Sequence, residues 1–449
     1  MAIKGAEKLP PSVRTDLIGG HFRSFRKDAT GFLERLSKLG DVTSFRLGPQ
    51  QAYFLNDPEL IRDLLVVNAH KFKKGRALQR AKTLLGEGLL TSEGEFHLRQ
   101  RRMIQPAFHR AQIADYSRSM VELAEETSDN WRDRETLDID REMMHLTLRI
   151  VGKTLFSANV EDDADAVGKA MTSMTTLFNF LLLPFSEWLQ KLPLPHSKRF
   201  KSARGTLDSV IYAIINDRRR SGENKGDLLS MLLNAQDEDD GSVMTDEQVR
   251  DEALTLFLAG HETTANLLTF TWYVLSQNPD AEAKLHEEID RVLNGRSPTF
   301  EDISKLTYCE HVIAESMRLY PPAWAIGRLA TEDHEFGGFP VAKGSLILIS
   351  PYITHRDKRF WSEPEVFRPE RWEMQSVKVA GQRYIYFPFG GGIRRCIGEG
   401  FAWTEGILLL ATLAGKWKLE LDPGQKIALQ PMITLRPKYG MRMKIRSRI

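Results

Sequence analysis

Apolar residues recur along most of this chain at helical spacing, and they alternate strictly in only a few short places. The stretch from about His21 to Leu39 reads as a helix. Val42 to Leu47 then alternates, Gly48-Pro49 turns, and Gln51 to Leu55 returns, which predicts a hairpin. From Pro58 to about Gln236 the pattern is mostly helical and closes on the dense apolar face Leu228, Leu229, Met231, Leu232 and Leu233. Thr245-Asp246-Glu247-Gln248 has the spacing of a capping box, and the helix it opens runs to Pro279. That helix has about 30 residues and is about 50 Å long at 1.5 Å per residue, enough to cross a whole protein of this size. Further helix reaches Tyr320, where Pro321-Pro322 stops it. Short strands follow at Ala325–Leu329, Glu335–Phe339 and Leu346–Ser350, and an apolar helix runs from about Glu399 through Ala414. No internal repeat or low-complexity segment interrupts this order. The fold class expected is mainly α with small β-sheets (α+β). The sheet-rich part is made of residues roughly 40–60 plus 325–350, with helical body elsewhere.

Length and composition refine the picture in a few ways. The chain has 449 residues, which as a soft prior suggests about three domains. The one clear spacer is the acidic, glycine-containing stretch from Asn234 to Val243, so a single domain over residues 1–449 is expected, with no fused reductase. A hydrophobic content of 42% supplies a large core, and a net charge of +2 argues against a nucleic-acid surface. Two cysteines far apart, Cys309 and Cys396, make no disulfide framework and fit a reducing compartment. Cys309 reads as core filling. The N-terminal residues Met1 to Glu7 are not apolar, and the longest apolar runs, near Leu177–Phe185 and Ile407–Ala414, fall short of the roughly 20 residues that span a bilayer. No integral membrane anchor is expected.

Chemistry concentrates in Phe387-Pro388-Phe389-Gly390-Gly391-Gly392-Ile393-Arg394-Arg395-Cys396-Ile397-Gly398. Glycines let backbone N–H groups approach one sulfur. Those N–H groups, the start of the following helix and the nearby arginines all favour thiolate over thiol. One soft anionic ligand without a Cys or His partner nearby cannot complete a zinc site, which needs four ligands. It can complete a haem site, where the porphyrin supplies the other four.

This loop resembles the haem-binding signature of the cytochrome P450 family, with Phe389, Gly392, Cys396 and Gly398 on the motif positions. Three further motifs carry the likeness. Ala259-Gly260-His261-Glu262-Thr263-Thr264 fits the family's oxygen-binding helix segment. There Thr255, Ala259 and Thr263 share a face, the small Ala259 and Gly260 make room, Thr263 brings a hydroxyl and Glu262 a carboxylate. Glu315-Ser316-Met317-Arg318 fits the Glu-x-x-Arg pair. Its i, i+3 spacing puts both charges on one face, and the apolar Val312, Ile313 and Leu319 around it predict burial. With Arg371 of Phe367–Trp372, the family makes this pair a structural lock behind the haem loop. Gly94 to Arg101 resembles the family's Trp-x-x-x-Arg helix, with His97 where Trp is common.

The resemblance covers nearly the whole chain and implies the family's triangular helix-rich body, with the long helix over the haem. It implies a haem-thiolate monooxygenase. Haem b would be held by Cys396 and Phe389, against Ala259 and Gly260, with propionates on His97, Arg101, Arg328 and Arg394. Thr263 and Glu262 would handle protons for bound O2. The substrate would be a small apolar molecule such as a fatty acid, a steroid or a terpenoid. Its pocket would be lined by the stretch Phe72 to Leu90, by Leu258, Ala259, Ala323, Trp324, Ala325 and Ile326, and by residues around Met432. Leu177 to Trp188 would be an entrance lid or core. Electrons would come from NAD(P)H through a separate ferredoxin or flavodoxin and its reductase, docking near Arg99, Arg102 and Arg395. The protein would be a soluble, cytoplasmic, bacterial-type monomer. The competing readings are a haem-thiolate isomerase, dehydratase or peroxygenase without an electron partner, and a non-catalytic haem sensor or carrier.

Overall fold

The computed structural model describes residues 10–14, 19–158, 170, 195–236, 241 and 243–448. The apolar segment Leu177 to Trp188 lies outside them. The chain folds into two compact units. One comprises Met1–Gln79, Met317–Phe367 and Arg371–Cys396, and the other Arg80–Ser316, Arg368–Glu370 and Ile397–Ile449.

The first unit is built on a five-stranded sheet, in the order Val42–Leu47, Gln50–Leu55, Leu346–Ile349, Ile326–Ala330, Phe72–Lys74. The predicted hairpin forms with Leu47 opposite Gln50. Its two-residue turn opens on Gly48 at φ 62°, the positive φ that a primed hairpin turn demands. Gln50–Leu55 then pairs parallel with Leu346–Ile349, Ala52 beside Leu346. That single parallel step joins segments nearly 300 residues apart. Val42, Tyr53, Leu55, Phe72, Ile347 and Ile349 close over Ile61, Leu64, Leu65 and Phe387 in one apolar cluster. Two expectations need correction here. The helix from His21 to Leu39 is two, Phe22–Lys27 and Ala29–Ser37, because Asp28 leaves helical geometry and caps the second through Gly31 N–H. The strand at Glu335–Phe339 is a hairpin, His334–Phe336 with Phe339–Val341, turning on Gly337 and Gly338, both at positive φ.

The second unit is helical and centres on Asp246–Gln277, 32 residues capped by Thr245 and Gln248 in the predicted capping box. A helix buried on nearly all sides needs neighbours on nearly all sides. Here they are Ile139–Phe156, Pro195–Ser221, Pro279–Leu293 and Glu399–Lys416. Gly260 permits a close approach by Ile139–Phe156, since a Cβ there would sit 3.0 Å from Val151 Cγ2. A three-stranded sheet (Thr136–Asp138, Arg442–Ser447, Trp417–Leu421) and the hairpin Leu429–Pro431 with Leu435–Pro437 complete the unit. Cys309 is fully buried core, as expected. Its N–H donates to Glu288 and its Sγ to the Ile407 carbonyl. Among the described residues no helix is long and apolar enough to cross a membrane.

The long helix depends on its N-terminal cap for two hydrogen bonds that nothing else supplies. Thr245→Ala should cost about 1 kcal/mol of stability, measured by denaturant titration. An unchanged midpoint would show that packing alone sets the start of the helix.

Candidate functional site

In the first unit the cysteine loop is fixed by backbone contacts while Cys396 itself is exposed. Cys396 N–H donates to the Phe389 carbonyl at 3.0 Å, closing the loop. Gly392, at φ 63°, lies so close to the Asp63–Val67 turn that a Cβ would stand 1.9 Å from the Leu65 carbonyl oxygen. Upstream, Phe387 N–H donates to His355 Nε2 at 2.9 Å. His355 is fully buried. Burial, with Arg318 and Arg356 nearby, holds its pKa well below the ordinary histidine value, so it stays neutral and can accept that bond.

The arginines assigned to the lock both clasp the loop beyond His355. Arg318, fully buried, donates to the carbonyls of His355, Pro364 and Val366 at 2.9, 2.6 and 3.1 Å. Arg371 donates to those of Ser362, Glu363 and Val366 at 3.0, 3.4 and 3.3 Å. Trp361 lies under both guanidinium groups. Glu315, also fully buried, accepts Arg368 N–H at 2.9 Å in the second unit. The predicted burial of Glu315 and Arg318 is therefore met. Also in the first unit, Arg328 is buried on its strand and donates to the Gly327 carbonyl, and Arg394 is half-buried. Ala323 and Ala325 are half-buried, whereas Trp324 between them is buried.

In the second unit the long helix is buried at Val249–Phe257 and again from Thr264 through Trp272, and it opens at Leu258, Ala259, Gly260, Glu262 and Thr263. Ala259 is the most open of these. Gly260 admits Val151 to close packing, and Thr147 on the same neighbouring helix donates to the His261 carbonyl at 3.0 Å. Thr263 Oγ1 donates to the Ala259 carbonyl at 2.8 Å. Glu262 accepts from Thr434 Oγ1 at 2.5 Å, and the Arg436 guanidinium stands 3.9 Å from it. His97 is buried, with Ser92 Oγ 3.4 Å from Nδ1, and Arg101 follows one turn later, half-buried. Met432 is half-buried on the loop that carries Thr434.

The donor chemistry fits haem. Among the described residues no three His, Cys, Asp or Glu side chains are grouped to hold a metal ion. One exposed thiol on a fixed loop suits an iron that arrives with four ligands already in place. Sequence reasoning passed over four contributors: His355, Thr434, Arg436 and Glu405. Glu405 had the clearest signal, a lone carboxylate in the apolar run of Glu399–Lys416. It is fully buried, and desolvation pushes it up to about 8, opposed by the Thr264 hydroxyl.

The cytochrome P450 family profile matches residues 17–444. Cyclooctatin synthase of Streptomyces melanosporofaciens is 40% identical over 421 residues, covering 93% of this chain and 91% of that protein. Cyclooctat-9-en-7-ol 5-monooxygenase of the same organism is 38% identical, over 90% and 88%. Pentalenene oxygenase of Streptomyces avermitilis is 34% identical, over 96% of each chain.

Two measurements check this geometry. Gly392→Ala meets a backbone oxygen and a positive φ together, so it should abolish haem incorporation while helix content by circular dichroism is retained. Full haem loading would show that the loop can shift. Glu405 has a folded pKa near 8 against an ordinary 4.5, so stability held by the protonated form is lost as pH rises through that window. The melting temperature of Glu405→Gln relative to wild type should climb between about pH 4.5 and 8 and level off above. A difference flat with pH would mean that Glu405 ionises freely.

Proposed function

The chain belongs to the cytochrome P450 family and is a monooxygenase of that family, and we propose that it hydroxylates a terpenoid-like molecule. The single observation that carries the site assignment is where the long helix opens. A helix buried through Phe257 and again from Thr264 is exposed at Ala259 and only half-buried at Leu258, Gly260, Glu262 and Thr263. The names of the three Streptomyces relatives support the substrate class. In the second unit the exposed Ala259 and the half-buried Leu258 and Met432, and in the first the half-buried Ala323 and Ala325, are all apolar, which suits a substrate without charge.

Family membership implies a haem with thiolate ligation, which when bound supplies dioxygen binding and oxygen-atom transfer. In this reading Cys396 holds the iron, in a loop that Phe389 closes and that His355 and Gly392 keep still. His97, Arg101, Arg328 and Arg394 take the propionates. Ala259 and Gly260 give the long helix a flat face. Thr263 holds a hydroxyl proton at Oγ1, poised over its own helix carbonyl. Glu262 holds or gives up a proton at a carboxylate whose position Thr434 and Arg436 set. Glu315, Arg318 and Arg371 act by fixing the chain around the loop.

Electrons from NAD(P)H are proposed to arrive through a separate acidic ferredoxin or flavodoxin, with the protein a cytoplasmic monomer. The first unit offers a suitable face. Val66, Val67 and Ile393 are 41%, 53% and 50% exposed beside the cysteine loop, and exposed Arg62 and Arg395 flank them. An apolar centre with a basic rim suits an acidic partner. In the second unit Arg102 is exposed and Arg99 half-buried.

The test is direct. Reduced holo-protein under CO should give the red-shifted Soret band of thiolate ligation, and Cys396→His should lose it. With a surrogate ferredoxin and reductase, terpenoid hydrocarbons and alcohols should give hydroxylated products. Thr263→Ala should still bind substrate and consume NAD(P)H but release peroxide in place of product. Unchanged product per NAD(P)H would remove Thr263 from the mechanism.

A further inference from the structure

Two turns before Thr263 the long helix carries a second polar place on the same face. Thr255, Ala259 and Thr263 follow one another there at i, i+4 spacing, and Glu252 stands three residues before Thr255. The loop that leads into helix Gly94–Ile104 lies across this place. Leu89 N–H donates to Glu252 Oε2 at 2.9 Å, and Gly88 lies so close that a Cβ would overlap Thr255 Oγ1. One dipeptide of the loop therefore covers both side chains. Just before it, Glu87 N–H donates to Asp251 at 2.7 Å. Thr255 is 3% exposed and Glu252 0%. Yet Thr255 Oγ1 and Glu252 Oε1 have no hydrogen-bond partner among the described residues. Keeping two such atoms dry is costly, and a group that bonds both of them removes the cost. One turn further on, Ala259 is exposed, so the place adjoins the open stretch of the helix.

We propose that Thr255 and Glu252 form a subsite that reads a hydroxyl group, so that the terpenoid this enzyme oxidises is already an alcohol, a reading that rests on the terpenoid substrate class. The substrate lies along the open face of the helix, with the carbon to be oxidised beside Ala259 and Thr263. Its hydroxyl reaches Thr255 and Glu252 at the other end, and the Gly88-Leu89 stretch shifts to admit it. Eight residues at 1.5 Å each set Thr255 about 12 Å from Thr263, a span on the scale of a fused polycyclic skeleton. The product is then a diol with its two oxygens at opposite ends of the molecule. Thr255 and Glu252 set specificity, since they touch the substrate away from its reacting carbon.

An alcohol uses both atoms. Desolvation raises Glu252 to about 8, with the Leu89 N–H opposing the shift and Asp251 adding to it, so the carboxyl is protonated at neutral pH. Its Oε2 accepts from Leu89, which leaves Oε1–H to donate. The substrate oxygen accepts from Oε1–H and donates its own O–H to Thr255 Oγ1. A ketone can only accept, and a hydrocarbon can do neither. No charge enters the apolar face in any of these pairings. A place built for a hydroxyl rejects the analogue that lacks one, because its own polar groups are then left unpaired.

The experiment titrates holo-protein with a polycyclic terpene hydrocarbon and with its monohydroxyl derivative, following the haem spin shift. The alcohol should bind about 10²-fold more tightly. Thr255→Val should bring that ratio below about tenfold, and Thr255→Ser should restore it. Glu252→Gln keeps an acceptor for Leu89 and a donor for the substrate, so the ratio should hold, whereas Glu252→Met should lower it. Deuterium exchange over residues 86–92 of the wild type needs no variant: the alcohol should alter it and the hydrocarbon should not. Turnover of the alcohol should give a diol oxidised at the end remote from the first hydroxyl. Equal affinity for the pair, or a ratio that survives Thr255→Val, would overturn the subsite. A diol with adjacent oxygens would overturn the placement along the helix. If neither compound binds, the terpenoid reading fails and this one with it. If the hydrocarbon binds as well as the alcohol, the terpenoid reading stands and only the subsite falls.

Discussion

Presenting one thiol for metal ligation sets two demands that oppose each other. The backbone must be immobile, and the sulfur must be bare. Side-chain packing would satisfy the first and violate the second. The first unit resolves this with backbone and glycine. Cys396 closes its loop on Phe389, Gly392 rests against the Leu65 carbonyl, and Phe387 hangs from His355. His355 can accept only because burial keeps it neutral, and its own carbonyl is held by Arg318. The sheet, the Asp63–Val67 turn and the clasped loop together hold still a cysteine that is itself exposed.

The second unit faces a related conflict. A helix of 32 residues is stable when its surface is covered, yet its middle must stay open. Gly260 and Thr147 tighten one side against helix Ile139–Phe156, which frees Ala259 and Thr263 on the other. Polar groups in the covered parts are then costly, and the structure leaves some of them protonatable. Glu405 is the extreme case, and Glu252, which accepts Leu89 N–H and is pushed up to about 8, is another.

The elements whose signal is local were legible in the chain. The capping box at Thr245, the turn at Gly48 and the cysteine loop each declare themselves within a few residues. Burial of Glu315 and Arg318 could be read from their apolar neighbours. The supports of the site could not be read in this way. Thr434 lies 172 residues from Glu262 and His355 lies 32 from Phe387, and neither pair has a spacing rule. Arg436 looks like any strand arginine until the hairpin is folded. Gly260 shows the opposite limit. Its presence was legible, but the same missing side chain serves space or close packing equally, and only the position of Val151 shows that packing is among its uses.

The clasp made by Arg318 and Arg371 has a consequence for how this sequence can change. Between them the two guanidinium groups bind the carbonyl oxygens of His355, Ser362, Glu363, Pro364 and Val366, and carbonyls are the same in every residue. What they recognise is the path of the chain, not its letters. The side chains of Ser362 and Val366 are therefore free to drift, while the number of residues between His355 and Val366 is not. Loss of one residue would move every later oxygen out of reach at once. Across descendants of this protein, that segment should accumulate substitutions quickly and length changes hardly at all.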